Sequence, residues 1–331
     1  MRLRPLLGIL LLAAAASGPL WGAASAPAEP PRPGASSTRP QDSVWLISTR
    51  HLGCSHGGDP QNPDFQVIRY DRDQGWEESD FDAFLQTGTP DGITAVFVHG
   101  NRVGWSTAFD RGLLAYRALI EGVDDPRPVR FVIWSWPSAQ IRGPLRDVRS
   151  KAARADHESH YLAWFLARVD PNARVGLFGF SYGGRIISGA LHLAGGGTLC
   201  GRPLAIAGTP RQCKPRAVLM AAAMHNYWLL PDCRHGRCPS EADRLLIQYN
   251  PCDHVLHMYH LVERCSRPRA LGYTGLPCLE DLGKDAARIE QQDVHCEIGN
   301  HHNVRLYFDS PRVMDKVREY VLWENSTNSG S

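Results

Sequence analysis

Lysine is scarce in this 331-residue chain: Lys151, Lys214, Lys284 and Lys316 are the only four among 36 basic residues. The 34 acidic residues bring the net charge to +2, so the balance points to neither a polyanionic nor a polycationic partner. The arginine bias reads as compositional rather than as a nucleic-acid patch. There is no phosphate loop, no dinucleotide fingerprint and no H-E-x-x-H pair, which removes nucleotide chemistry and zincin-type hydrolysis. None of the nine cysteines forms a C-x-x-C pair, which argues against a zinc ribbon or a thioredoxin-like site. No internal repeat is present. Beyond the first 26 residues no apolar run could span a bilayer.

What is present fits a globular protein with a sizeable core, at 43% hydrophobic and 21% charged residues. Residues 1–26 have the layout of a secretory signal. Arg2 and Arg4 supply positive charge, residues 6–16 an apolar stretch, and Ala24-Ser25-Ala26 a small-residue cleavage site. An uncleaved anchor is the alternative. Residues 27–42, rich in Pro, Ala and Ser, are expected to form a disordered linker. Eight of the nine cysteines follow residue 199. For an exported protein that crowding predicts up to four disulfides, with Cys200–Cys213 and Cys233–Cys238 favoured by short separation. Asn325-Ser326-Thr327 is formally a glycosylation sequon in the tail.

The chain is organised around Gly179-Phe180-Ser181-Tyr182-Gly183-Gly184. A short apolar run precedes it, and Arg185 to Leu191 reads as a helix. Strand, G-x-S-x-G and helix is the order of a nucleophile elbow, in which the serine sits on a strained turn with its hydroxyl lifted clear. The glycines keep Cβ atoms out of that turn. The Tyr182 amide, at a helix N-terminus, can then donate to a developing oxyanion.

Upstream, strands are predicted at 44–48, 65–70, 93–98 and 129–134. The third ends in His99-Gly100-Asn101-Arg102, which would aim the Asn101 amide at the same place. A strand-ending turn is the plainer reading. The fourth leads into Ser135-Trp136-Pro137-Ser138. Helices are predicted at 107–121 and 145–169. The second has a buried stripe of Leu145, Val148, Ala152, Ala155, Leu162, Leu166 and Val169, and the pairs Asp147–Lys151 and Arg154–Glu158. Arg142, Arg146, Arg149 and Arg154 are expected on a solvated face.

Downstream, strands are predicted at 217–221, 245–249 and 293–298, with a short lid-like segment at 225–243 and a last helix from Ser310-Pro311. A serine nucleophile needs a base and a group to orient it. Asp253 follows the strand at 245–249, where it could equally cap a helix over 254–261. Gly299-Asn300-His301-His302 follows the last strand with two imidazoles; His302 is favoured, because Gly-x-x-His lets the chain turn back. A rival metal site would use His254, His257 and His260 with His225 or His295, but residues three apart drift around a helix and no matching carboxylate accompanies them.

The HG turn, the WPS segment and the serine elbow together resemble the α/β-hydrolase superfamily over roughly residues 44–325. They are similar to a bacterial α/β-hydrolase-like family of unknown function. The resemblance implies a mostly parallel eight-stranded sheet with helices on both faces, in a single domain over 43–325 with a disordered tail at 326–331. It also implies a triad of Ser181, Asp253 and His302, with Asn101 and Tyr182 as oxyanion donors, and no cofactor or metal. The expected activity is that of an exported serine hydrolase on a small or lipid-like acyl substrate, with no nucleic-acid partner and no transmembrane segment after signal removal. The alternative is an inactive scaffold that binds a ligand or a cell-envelope partner. The cysteine-rich second half and the HGNR turn, where relatives often carry an aromatic after HG, depart from the pattern.

Overall fold

A computed structural model describes residues 38–52, 62–205, 210–262 and 268–324. The signal segment, Cys54, Cys265, the sequon and the tail lie outside the described residues.

Among the described residues nine strands form one mixed sheet: β1 (Ser43–Ser48), β2 (Gln66–Asp71), β3 (Gly75–Ser79), β4 (Ile93–Val98), β5 (Val129–Ser135), β6 (Arg174–Phe180), β7 (Arg216–Met220), β8 (Leu245–Tyr249) and β9 (Ile289–Asp293). Their order is β3-β2-β1-β5-β4-β6-β7-β8-β9. From β1 through β9 every pairing is parallel, whereas β2 joins β1, and β3 joins β2, antiparallel. The α/β class is as expected; the count of eight is corrected to nine. The strand missed by sequence reading is β3. Its GWEES sequence is polar and half exposed, because an edge strand need bury only one face.

The chain alternates strands with α1 (Phe81–Gln86), α2 (Trp105–Ile120), α3 (Pro144–Arg168), α4 (Tyr182–Ala194), α5 (Cys238–Glu241), α6 (His254–His257), α7 (Leu271–Thr274), α8 (His295–Ile298), α9 (Val304–Phe308) and α10 (Pro311–Val321). A 3-10 turn, Met258–Leu261, continues α6. Side chains alternate across a strand, so Gly176 and Gly179 of β6 look to opposite faces. A Cβ on Gly176 would lie 2.2 Å from the Val321 carbonyl oxygen of α10, and one on Gly179 would lie 2.5 Å from the Gly183 carbonyl carbon of α4. The central strand is thus pressed between two helices at van der Waals range. Strand β4 is buried along its whole length, as a strand covered on both faces must be.

Several expectations need correction. The strand expected at 293–298 is instead β9 followed by α8, and His295, Cys296 and Glu297 sit on that helix. Its alternation of apolar and polar residues fits either period over so short a stretch. Residues 38–42 are not a disordered linker. The Arg39 amide donates to Tyr116 Oη at 3.0 Å, its guanidinium donates to the Asp125 carbonyl at 2.7 Å, and Asp42 accepts from Tyr116 Oη at 2.7 Å and from the Val129 amide at 2.9 Å. Arg154 is not on a solvated face either. It is buried against Glu158 at 2.6 Å, and Thr49 Oγ1 donates to the same carboxylate at 2.7 Å. Burial pulls the Glu158 carboxyl above the usual range despite that arginine. Leu145, assigned to the buried stripe of α3, is exposed; the other members of the stripe turn inward, Val148 only partly.

Cys200, Cys213, Cys233, Cys238, Cys252, Cys278 and Cys296 are all free thiols, so neither favoured bridge is formed. Of these only Cys238 is buried, and burial raises its thiol well above its ordinary range. A reductant is accordingly expected to leave the melting temperature unchanged in differential scanning fluorimetry; a fall of several degrees would reveal bridges. Among the described residues no helix is long and apolar enough to cross a membrane.

Candidate active site

Ser181 closes β6 and caps α4 with φ 57° and ψ −116°, a left-handed conformation that costs a non-glycine residue about 1–3 kcal/mol. The surroundings hold it there. Its amide donates to the Met220 carbonyl at 2.9 Å, and its carbonyl accepts from the Gly184 and Ala223 amides at 3.1 Å each. Gly183 permits the turn, since a Cβ there would sit 2.0 Å from the Val98 carbonyl oxygen. The HGNR turn also packs here: a Cβ on Gly100 would lie 3.2 Å from the Ser181 Cβ. The turn that follows β4 therefore lies against the elbow, with Asn101 next in the chain. The backbone amides of Asn101 and Tyr182 make no hydrogen bond among the described residues.

Asp253 lies between β8 and α6 and is fully buried. One carboxylate oxygen accepts from the Val255 and Leu256 amides at 2.9 Å each, as an N-cap does. The other takes a 2.6 Å hydrogen bond from His302 Nδ1. Capping and orienting an imidazole are therefore done by different oxygens of one group. The loop carrying His302 is clamped to the same segment. Gly299 turns the chain with φ 65°, Asn250 Nδ2 donates to the Gly299 carbonyl at 2.8 Å, and the His254 amide and ring both meet the Asn300 carbonyl. The His302 ring packs on Phe180, the residue before Ser181, at 4.7 Å between centroids, and Tyr307 packs edge-on against Phe180. His301 is exposed and makes no hydrogen bond among the described residues. Of the two adjacent imidazoles, only His302 is held. Ser181 Oγ makes no hydrogen bond among the described residues, so the serine neighbours His302 through Phe180 rather than through a formed bond. Catalytic hydrogen bonds are often long before substrate binds.

Three groups around the site had no local signal in the sequence. Asp147, fully buried at the start of α3, accepts from Asn101 Nδ2 at 3.2 Å, Arg102 Nε at 3.4 Å and the Ile141 amide at 3.0 Å. It ties the HGNR turn to α3. Arg185, one turn into α4, is buried against Asp156 through two 3.1 Å bonds. Arg234 reaches Asp156 too, at 2.6 Å, and both guanidinium groups lie over the Trp228 ring. Burial alone would raise the Asp156 carboxyl, but Arg185 and Arg234 together, with His235, outweigh it and the net direction is down. The third group is Tyr307, whose hydroxyl burial and the Asp253 charge together push far above its ordinary range. The segment at 225–243 is therefore anchored on α4 rather than free to flap. Trp228 stacks on His225 at 4.4 Å, and His235 Nδ1 lies 2.8 Å from Ser188 Oγ.

Two buried imidazoles set the behaviour in acid. Burial, helped by the Arg50 charge, pushes His99 down to about 3, and burial holds His235 well below the ordinary imidazole range. Both rings are neutral in the folded chain, whereas in the unfolded chain each takes up a proton below about pH 6.5. The unfolded state then binds more protons, so stability falls with acidity from there downward, at about 1.4 kcal/mol per pH unit and ring. Urea unfolding is expected to give a free energy at least about 3 kcal/mol lower near pH 5 than near pH 7. Equal values at the two pH values would contradict the neutral burial of these rings.

No protein-family model matches the sequence, and no curated protein matches it. Solved structures with some likeness include an acyl-protein thioesterase 2 from Zea mays, at 16% identity and TM-score 0.38 over 71% of this chain and 94% of that one. An inhibited esterase B from Lactobacillus rhamnosis has 12% identity and TM-score 0.39, with 85% of each chain covered. An acetylxylan esterase has 15% identity and TM-score 0.32 over 71% of this chain and 99% of that one. At such scores these are distant likenesses, and what the site can do is argued from its own geometry.

Proposed function

We propose that this chain is a serine hydrolase of the α/β-hydrolase superfamily that cleaves an ester or related acyl bond. The observation that carries the reading is the 2.6 Å bond from His302 to the buried Asp253 carboxylate, held beside a serine on a strained strand-to-helix turn. Ser181 attacks the acyl carbon while His302 Nε2 takes its proton. Asp253 holds Nδ1–H, which fixes the working tautomer and stabilises the imidazolium. The Asn101 and Tyr182 amides receive the negative charge on the carbonyl oxygen. The imidazolium then protonates the leaving group, and water, deprotonated by the same ring, frees the acid. The domain spans 43–325.

Export is part of this proposal. It rests on the N-terminal pattern of residues 1–26 alone, since the cysteines no longer support it. A small or lipid-like acyl compound is the substrate class, with no cofactor in the chemistry.

The test is a panel of p-nitrophenyl esters from acetate to decanoate, with an acyl thioester beside them. Turnover well above background on at least one is expected. A rate no greater than buffer on all of them would favour the silent scaffold, which has the same fold without the chemistry.

A further inference from the structure

Only four large apolar side chains are exposed among the described residues: Leu145 at 39%, Tyr227 at 38%, Val255 at 46% and Met258 at 40%. They come from three separate segments, and each segment follows the carboxyl end of a parallel strand. Leu145 opens α3 after β5, Tyr227 follows β7, and Val255 and Met258 follow β8. Contacts join the three. Arg149, one turn beyond Leu145, donates to the Leu261 and Val262 carbonyls at 3.1 and 3.2 Å, where the turn carrying Met258 ends. Tyr259, beside Met258, packs edge-on against His225, whose Nδ1 lies 3.0 Å from Tyr227 Oη. The same stretch begins at Asp253, so the four side chains stand along one rim of the sheet, its carboxyl edge, which also carries the candidate site.

Beside Leu145 the exposed charged side chains among the described residues are arginines. Arg142 and Arg146 flank Leu145, both are exposed, and neither makes an ion pair among the described residues. Arg102 stands beside them, half exposed at 51%, paired at 3.4 Å with the buried Asp147. The exposed positions of α6 and its continuation are His254, Val255, His257 and Met258, with no carboxylate among them. Apolar side chains raised into water beside unpaired arginines suit a surface that is apolar inside and anionic at its boundary. A protein partner with an apolar patch would not need the arginines, and a soluble anion would not need the apolar side chains.

We propose that this rim docks on an anionic lipid surface. Val255, Met258, Leu145 and Tyr227 enter the acyl boundary while Arg142, Arg146 and Arg102 engage headgroup phosphates. The docking deepens the hydrolase reading and rests on it for its purpose, since it would bring acyl esters to Ser181. The binding itself requires no hydrolysis.

The experiment therefore uses vesicles of ether-linked lipids, which the chain cannot cleave, and the full-length protein. Flotation with ether-linked phosphatidylcholine is compared with flotation when about a third of the lipid is phosphatidylglycerol. Binding at least about tenfold tighter to the anionic vesicles is expected, weakening as salt is raised. Arg142→Glu with Arg146→Glu should remove most of that difference, and Leu145→Ser with Met258→Ser should weaken binding to anionic vesicles about tenfold. All four positions are exposed, so rates on a water-soluble ester should stay at the wild-type level, which also shows that the variants are folded. No flotation, equal flotation on both vesicles, or variants that bind like wild type would overturn the docking while leaving hydrolysis intact. A dimer in sedimentation velocity that Met258→Ser dissociates would overturn it as well, by showing that a second copy covers the rim. Docking without turnover of any ester would instead refute the hydrolase reading alone.

Discussion

Replacing Ser181 with alanine is expected to lower kcat on the best ester by about 10⁴-fold or more, with no loss of folding. The size follows from the absence of any second nucleophile at the elbow: the oxyanion donors and the binding surface would persist, and they support only a residual rate. Folding should survive because the backbone of Ser181, not its hydroxyl, makes the bonds to Met220, Gly184 and Ala223. Alanine must still adopt φ 57°, so the strain is unchanged. The check is steady-state kinetics beside a thermal melt. A variant that keeps a tenth of the wild-type rate would remove Ser181 from the mechanism.

His302→Ala is expected to cost on the order of 10³-fold or more, and its neighbour His301→Ala less than about threefold. The contrast comes from burial and bonding. His302 donates to a buried carboxylate and packs on Phe180, whereas His301 faces solvent. Asp253→Asn sharpens the test, because asparagine still caps α6 but presents an amide where the imidazole needs a carboxylate. It should leave the melting temperature within a few degrees and lower kcat by about 10³–10⁴-fold. Equal losses for the two histidine variants would show that the loop, rather than one ring, is what matters.

The sequence made much of the candidate site's geometry legible because its parts are local. Gly179 to Gly184 announces a strained turn, since the glycines are needed wherever Cβ atoms would strike the backbone of the neighbouring strand or helix. His99 to Arg102 marks the end of a continuous apolar run. Gly299 three residues before His302 marks a chain reversal, and the structure places a positive φ there. What escaped was non-local. Asp156 and Arg185 are 29 residues apart in the chain and meet only because α3 packs on α4. Asp147 looked like half of an ordinary helical pair with Lys151, and its tie to Asn101 appears only once the turn after β4 is folded beside it. Strand β3 and the β9–α8 boundary failed for a different reason: five or six residues of mixed polarity fit either period, and the partner strand decides. The cysteines misled because crowding along the chain was read as pairing in space.

Labelling with a fluorophosphonate, followed by peptide mass mapping, tests the central claim most directly. A phosphonate reacts with a serine only where a base activates it and donors receive the developing charge, so one adduct reports on the whole arrangement. One phosphonyl group per chain is expected, on the peptide containing Ser181, with activity lost in proportion and no adduct on Ser181→Ala. An unlabelled wild-type protein, or an adduct on another residue that persists in Ser181→Ala, would contradict a catalytic Ser181.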